Sequence, residues 1–283
     1  MNLPILSHSE VDSFVQCERR HYYAFGEKLI RSNGMSDALN RGITGHSLLK
    51  AYFSATGGHQ ARLAVMANQA VVELRSNSNP PIVAAALILA KGFVEWYEDR
   101  ISGWIIETVE AEYMLDFPDF TYAFTVDACI YDTDGQKKFV DWKFTYDFYD
   151  ADFMSLAPQL PRYVGAARAL GLNVRDGMYG FIRYRKLNNE SDKYLLAPLR
   201  LSTPRIQNAF RDLVNASERM LDLRSLEVGE WETKVSRNAN QTVCRSCPFK
   251  SLCAVEANGG DGKMERKFNY EVNTRYGYAV EED

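Results

Sequence analysis

Two carboxylates and one amine in the sequence are spaced so that they could hold a metal ion and activate water. Asp141 and Lys143 lie two residues apart, and Asp127 precedes them by about one hairpin. Residues two apart on a strand project from the same face, so Asp141 and Lys143 would be neighbours. Carboxylate oxygens suit a hard divalent cation, and such a cation lowers the pKa of its bound water. For an isolated pair, the alternative is a surface salt bridge between Asp141 and Lys143.

A β-hairpin over residues 121–143 would position these side chains. Apolar residues alternate with the opposite face over 122–130, which predicts a strand. Residues 133–136 are Thr, Asp, Gly and Gln and supply the turn. The second strand then ends in Asp141-Trp142-Lys143, and Asp127 reaches the site from the neighbouring strand.

Three further elements carry polar side chains that could join the hairpin. A helix over 36–53 places His46 beside Gly45, and glycine permits a close approach. A strand over 104–115 carries or is flanked by Glu107, Glu110 and Glu112, and a helix over 151–170 follows the hairpin.

The cysteines indicate a second metal site. Cys244, Cys247 and Cys253 cluster within ten residues, and tetrahedral sulfur coordination needs a fourth ligand from Cys17 or Cys129. Cys17 follows a predicted helix and precedes a polar run, so it is the more available of the two. Cys129 lies within the first hairpin strand and is assigned to the core. Zinc and an iron–sulfur cluster are both chemically possible for four thiolates.

Composition indicates a soluble globular protein of 283 residues, long enough for one large domain or a domain with a subdomain. A net charge of −4 at pH 7 and a pI near 5.7 argue against a histone-like basic protein but leave room for a local positive groove. No secretory signal follows the start, and the apolar run at 82–90 is too short to span a bilayer. We therefore expect a cytosolic protein without a membrane partner, whose cysteines are thiols or metal ligands.

Taken in order, these residues resemble a known family. The series is Ser7-x-Ser9-x4-Phe14-x2-Cys17, Gly45-His46, Asp127, Asp141-x-Lys143, Gln159-x3-Tyr163 and Cys244-x2-Cys247-x5-Cys253. It resembles the RecB-like branch of the PD-(D/E)XK nuclease superfamily. More narrowly, it is similar to the iron–sulfur members, which are the AddB nuclease domain and related CRISPR-associated and viral exonucleases. Two departures are Asp141 in place of the commoner Glu and Thr125 in place of a glycine.

The resemblance implies a role for each residue of the first site. Asp127 and Asp141 would bind Mg²⁺ or Mn²⁺, with the backbone carbonyl of Trp142 as a further ligand. Lys143 would orient the attacking water and offset charge on the phosphate. His46 would be the additional ligand of the RecB-like branch, with a structural histidine between helices as the alternative.

The resemblance also implies two further groups of residues. Gln159 and Tyr163, which are four residues apart on one helix face, would contact nucleic acid, the alternative being a core tyrosine and a surface glutamine. Glu110 and Glu112 would be weaker candidates for binding the metal or supporting its ligands. A [4Fe–4S] cluster with a structural role would be held by four cysteines, which are Cys17, Cys244, Cys247 and Cys253.

The expected fold is α/β, with a mixed central β-sheet flanked by helices and an iron–sulfur-stapled helical subdomain made from both termini. The predicted divisions are an N-terminal helical segment with the first cluster cysteine (1–30), the nuclease core (31–225), a C-terminal iron–sulfur segment (226–258) and a flexible tail (259–283).

The expected function is metal-dependent hydrolysis of DNA phosphodiesters by an exonuclease, with endonuclease activity also open. Single-stranded DNA or DNA ends would be the substrate, and the iron–sulfur relatives suggest 5′ to 3′ polarity. The setting would be recombination, repair, phage replication or CRISPR-type processing, where a recombination or replication protein is a candidate partner. The oligomeric state stays open. The alternatives are a catalytically silent DNA-end-binding protein and a zinc-stapled interaction module.

Overall fold

The computed structural model describes residues 3–76, 79–98, 100 and 103–273. Its helices are α1 (His8–Gln16), α2 (Glu18–His21), α3 (Asp37–Ser54), α4 (His59–Ser76), α5 (Pro80–Glu98), α6 (Ala151–Leu156), α7 (Gln159–Ala169), α8 (Thr203–Arg224), α9 (Val228–Lys234), α10 (Gln241–Arg245), α11 (Lys250–Ala257) and α12 (Gly262–Asn269). Its strands are β1 (Ile5–Ser7), β2 (Leu29–Arg31), β3 (Ile105–Asp116), β4 (Thr121–Tyr131), β5 (Lys137–Thr145), β6 (Asp176–Arg183), β7 (Tyr194–Leu199) and β8 (Tyr270–Val272).

The chain forms two compact units. Unit 1 comprises Met1–Met35, Asp116–Tyr122 and Asp212–Asp283, and unit 2 comprises Ser36–Leu115 and Ala123–Arg211. Both termini therefore belong to unit 1. Unit 2 is shorter than the predicted core at 31–225, because residues 31–35, 116–122 and 212–225 belong to unit 1.

Unit 2 is built on a mixed β-sheet. Strand β5 pairs with β4 in the antiparallel sense and with β6 in the parallel sense. Strand β7 pairs antiparallel to β6, and β3 pairs with β4. The link from β5 to β6 contains α6 and α7, as a parallel pair requires a crossover connection. The predicted α/β class with a mixed central sheet is confirmed.

Strands β4 and β5 form the predicted hairpin. Its turn carries Gly135 at a φ of 69°, and the Asp132 carboxylate accepts the amide hydrogens of Asp134 and Gln136. The register pairs Ala128 with Val140. One step further along this antiparallel register, Asp127 lies opposite Asp141.

Helices cover both faces of the sheet. On one face, Val140, Trp142 and Ile182 pack with residues of α3 and α5, and the ring of Trp142 stacks on Phe53 at 5.4 Å between centroids. On the other face, α7 packs through Leu160 against β6. Helix α5 meets the length and composition of a membrane span, but it contributes several side chains to this core.

The predicted helix over 151–170 is interrupted. Helix α6 ends at Leu156, Ala157 has a ψ of 125°, and α7 begins at Gln159. Pro158 explains the break, because proline disfavours the helical conformation of the preceding residue and has no amide hydrogen. Gln159 consequently begins a new helix whose direction is independent of α6.

The predicted flexible tail at 259–283 is ordered over much of its described part. Residues 262–269 form α12, and β8 pairs antiparallel with β2. Arg266 donates two hydrogen bonds to the Glu27 carboxylate, and its third guanidinium nitrogen lies 2.6 Å from the Glu256 carboxylate. The strand pairing and the contacts of Arg266 hold this segment against the rest of unit 1, which its composition did not indicate. Residues 274–283 of the predicted tail lie outside the described residues.

Gly45 allows α3 to pass against β5. A Cβ atom at this position would overlap the ring of Phe144, whereas a Cβ at Gly42 would meet nothing within 4 Å. We expect Gly45→Ala to destabilise the protein by about 1–3 kcal/mol, the usual cost of overpacking a filled site. Gly42→Ala should be neutral or stabilising, because alanine favours a helix over glycine by about 1 kcal/mol. Urea unfolding of both variants checks this, and equal stabilities would contradict the close packing.

Candidate metal-binding active site

Asp127 is the centre of a polar cluster in unit 2. It projects from β4, and its Oδ2 atom accepts the amide hydrogen of Trp142 at 2.6 Å. Its other oxygen lies 3.2 Å from Nδ1 of His46 on α3. The Asp127 carboxylate is therefore fixed by the hairpin on one side and meets a helix on the other.

His46, Asp127 and Glu110 come together as potential metal ligands. One ligand atom from each residue lies within 4.8 Å of the ligand atoms of the other two. Within the described residues, these three side chains are the group of His, Cys, Asp or Glu that lies this close together. Glu110 has a φ of 52° within β3, a left-handed conformation that non-glycine residues seldom adopt. This break in the strand interrupts the regular alternation of faces.

Asp141 and Lys143 form an ion pair beside this group. Nζ of Lys143 lies 2.8 Å from Oδ2 of Asp141 and donates to Oε1 of Gln159 at 2.7 Å. The amide nitrogen of Gln159 in turn donates to Oδ1 of Asp141 at 2.6 Å. Gln159 thus holds both members of the pair, and its place at the start of α7 follows from the break at Pro158.

Mutual repulsion and burial set the electrostatics of the site. Burial raises the pKa of Asp141 to about 6, and the nearby Asp127 carboxylate acts in the same direction against the lowering effect of Lys143. Burial and Asp127 likewise raise the pKa of Glu110. Although burial alone would lower them, the surrounding carboxylates raise the pKa values of His46 and Lys143. The site therefore concentrates negative charge that a cation would neutralise.

The donor set fits a divalent metal ion of the Mg²⁺ or Mn²⁺ type. Two carboxylates and one imidazole converge, and Mn²⁺ accepts both kinds of ligand. The structure places His46 and Asp127 beside Glu110, which the sequence offered only as a weak candidate. Asp141 lies outside this group and is bound to Lys143 and Gln159. The predicted ligand role of the Trp142 carbonyl stays a prediction.

Gln159 and Tyr163 occupy different environments on α7. Gln159 is half-buried among the polar groups of the site. Tyr163 is buried, stacks on Phe124 at 4.8 Å between centroids, and has its hydroxyl 3.2 Å from the Gln159 amide. Gln159 thus faces the polar groups of the site, while the buried Tyr163 contacts Gln159 through its hydroxyl. The predicted contacts of both residues with nucleic acid stay a prediction.

The remaining histidines and Cys129 have structural partners. His8 pairs with the Tyr122 hydroxyl, and His59 with that of Tyr52. His21 is buried against Glu10. Cys129 is buried and donates to Glu107, and burial raises the pKa of its thiol to about 12. These contacts give the four side chains structural roles, as the sequence predicted for Cys129.

The other cysteines line one cavity of unit 1. It measures about 260 Å³, and all four thiols are free and partly exposed: Cys17, Cys244, Cys247 and Cys253. Arg19, Arg20, Arg237 and Lys250 contribute to the same wall. The backbone amide of Asn238 lies 3.4 Å from the sulfur of Cys17. The cavity thus collects thiols, cations and an amide donor.

Comparison with known proteins establishes the family. A sequence profile of the PD-(D/E)XK nuclease superfamily matches residues 5–254. The chain belongs to this superfamily, and the match includes every residue of the metal-binding cluster. No curated protein matches the chain.

Two solved structures align with most of this chain. A candidate exonuclease from Eubacterium rectale aligns with a TM-score of 0.53 and 14% identity over 85% of this chain and 87% of its own. The protein SSO0001 aligns with a TM-score of 0.39 and 14% identity over 88% of this chain and 85% of its own. At this identity, the first likeness supports the fold alone.

Glu110 provides a direct test of the metal site. We expect Glu110→Gln to weaken Mn²⁺ binding by at least about tenfold, because even groups that only support metal ligands commonly contribute 10–100-fold. Glu112→Gln is the matched control on the same strand and should bind Mn²⁺ as the wild type does. Calorimetric titration measures both without reference to activity. Equal affinities in the two variants would exclude Glu110 from the site.

Proposed function

We propose that this member of the superfamily is a metal-dependent DNA exonuclease. The observation that carries the proposal is the joint placement of His46, Glu110 and Asp127 beside the Asp141–Lys143 pair. Ligands for a hard cation and a positioned ammonium are the parts that phosphodiester hydrolysis needs. A salt bridge between Asp141 and Lys143 alone would not require Glu110, Asp127 and His46 beside it.

The residues of the site have separable roles in this proposal. A bound Mg²⁺ or Mn²⁺ would lower the pKa of water and stabilise charge developing on the phosphate. His46, Glu110 and Asp127 would hold it, with Asp141 completing the coordination from the opposite strand. Lys143 would orient the attacking water and offset negative charge at the scissile phosphate. Gln159 would hold the side chains of Lys143 and Asp141 in position through one hydrogen bond to each.

The direction and form of cleavage belong to the proposal too. We infer exonuclease action on single strands or DNA ends, with 5′ to 3′ polarity. The candidate exonuclease among the aligned solved structures supports exonuclease action. The substrate and polarity rest on the resemblance of the residue series to the iron–sulfur exonucleases.

We further propose that the four-cysteine cavity of unit 1 holds a [4Fe–4S] cluster. The supporting observations are four free thiols on one wall and several cations beside them. Four thiolates around a cluster carry net negative charge, which the arginines and an amide donor would offset. The cluster would tie α1 to the segment around α10 and α11, so its role is structural.

The choice of a cluster over zinc rests on the residue series, which resembles that of the iron–sulfur members of the superfamily. Zinc bound by the same four thiolates is the alternative. The iron content of the purified protein distinguishes the two.

Digestion of end-labelled DNA tests the central proposal. Single-stranded and blunt duplex substrates labelled at either end are incubated with and without Mn²⁺. We expect Mn²⁺-dependent release of short products from one end of the single strand. Metal-independent cleavage, or tight DNA binding with no cleavage in either metal, would overturn the nuclease proposal in favour of a DNA-end-binding protein.

Asp141→Ala should abolish cleavage while leaving the fold and DNA binding intact. The buried carboxylate contributes in the transition state, and losing such an electrostatic group typically lowers the rate about 10²–10³-fold. Asp134→Ala, in the exposed hairpin turn, is the control and should cleave normally. Single-turnover kinetics measure the cleavage rate of each variant, and titrations measure its affinity for DNA. Activity above roughly a tenth of wild type would contradict the assigned role.

Cys247→Ser should lose iron and lower the melting temperature. A metal site shared by distant cysteines contributes folding energy directly, and its loss typically costs several kcal/mol. Cys129→Ser is the control, because its thiol lies in unit 2 and bonds Glu107. Iron content, absorbance near 400 nm and thermal melting of anaerobically purified protein compare the two. Iron retained in Cys247→Ser, or lost from Cys129→Ser, would overturn the ligand set.

A further inference from the structure

An exposed tyrosine follows the catalytic strand. Tyr146 comes three residues after Lys143 and is 59% exposed. At about 3.3 Å per residue, it lies roughly 10 Å beyond Lys143 along the strand direction. A single exposed apolar side chain is ordinary on a protein surface, so the significance of Tyr146 depends on its neighbours.

Tyr146 belongs to a small aromatic and cationic platform. The ring of Tyr184, just past the end of β6, lies 5.8 Å from that of Tyr146 at an angle of 68°. The Tyr184 amide donates to Thr145, which fixes the two chain segments side by side. The guanidinium of Arg41 lies 4.5 Å above the Tyr184 ring. We call Arg41, Tyr146 and Tyr184 the tyrosine platform.

The platform adjoins the metal-binding site along α3. Arg41 and His46 are five residues apart on this helix, a rise of about 7.5 Å. Between them, Gly45 packs against Phe144, the neighbour of Lys143 in β5. The surface at Gly42 is open, since a Cβ atom there would meet nothing within 4 Å. A chain bound over the platform would therefore continue into the site.

Charge near the platform is favourable for phosphate. Arg183, Arg185 and Lys186 surround Tyr184 in sequence. The two arginines share one carboxylate, that of Asp147, at 2.8 and 2.7 Å. Cations thus exceed anions in this group even though the whole chain has a net charge of −4.

We propose that the tyrosine platform stacks an unpaired base next to the scissile phosphodiester, so that the enzyme prefers single-stranded over duplex DNA. The inference deepens the proposed function and rests on it. Bases within a duplex are stacked on one another and offer no free face, whereas each unpaired base presents one to an aromatic ring. Arg41 fixes Tyr184, Tyr184 supports Tyr146, and Tyr146 offers the exposed ring.

Binding measured without cleavage tests the platform. A fluorescent single-stranded oligonucleotide is titrated in EDTA by anisotropy. Base–aromatic stacking contributes about 1–3 kcal/mol per base, so Tyr146→Ala should weaken binding about 5- to 150-fold. Tyr146→Phe should bind as the wild type does. Tyr131→Ala is the matched control, because Tyr131 also has a cation over its ring but lies at the turn end of the hairpin, and it should have no effect.

Two further arms locate the base and identify the substrate. An abasic site moved along the oligonucleotide should abolish the Tyr146→Ala effect at one position only. Blunt duplex DNA should bind both proteins equally, and an RNA single strand should show no greater loss than DNA. Equal losses in Tyr146→Ala and Tyr131→Ala, a loss on duplex as large as on single strands, or a loss confined to RNA would overturn the proposal. Stacking without Mn²⁺-dependent cleavage would instead refute the nuclease proposal alone.

Discussion

The register of β4 against β5 is the constraint on which the site depends. It ends with Ala128 opposite Val140, and the next residues along the two strands are Asp127 and Asp141. Two carboxylates so close repel each other, which contributes to the raised pKa of Asp141. The surrounding groups offset this repulsion: the Trp142 amide and His46 contact Asp127, while Lys143 and Gln159 contact Asp141. A slip of one residue would send the carboxylates to opposite faces and dismantle the arrangement.

The helices supply what the hairpin cannot. Helix α3 comes close enough to present His46 because Gly45 leaves room for Phe144. Helix α7 presents Gln159 because Pro158 starts a new helix there. Each helix is thus placed by one small or cyclic residue, while the Trp142 side chain anchors the same strand in the core. Strand β5 therefore carries core residues on one face and the site residues Asp141 and Lys143 on the other.

Local patterns in the sequence predicted the hairpin, its turn and the Asp127, Asp141 and Lys143 set, because strand alternation and turn chemistry act over a few residues. The role of His46 was predicted only from the family resemblance, since a histidine beside glycines does not by itself indicate which strand it contacts. Glu110 could be only a weak candidate, because the left-handed residue in β3 breaks the period on which face assignment relies. The helix break was available in principle from Pro158. The pairing of β8 with β2 joins residues more than 200 positions apart and has no local signal.

That long-range pairing changes how the cysteine site should be understood. Arg266 of α12 bonds Glu27 and Glu256, and Tyr23 donates to the same Glu256. Phe249 stacks on Tyr270, whose hydroxyl donates to the carbonyl of Pro248 in the cysteine segment. These contacts connect the two ends of unit 1 without any metal. A cluster would therefore join segments that are already held together, and its binding energy would add to an existing closure. Glu256, Arg266 and Tyr270 of these contacts lie beyond residue 254, where the superfamily match ends.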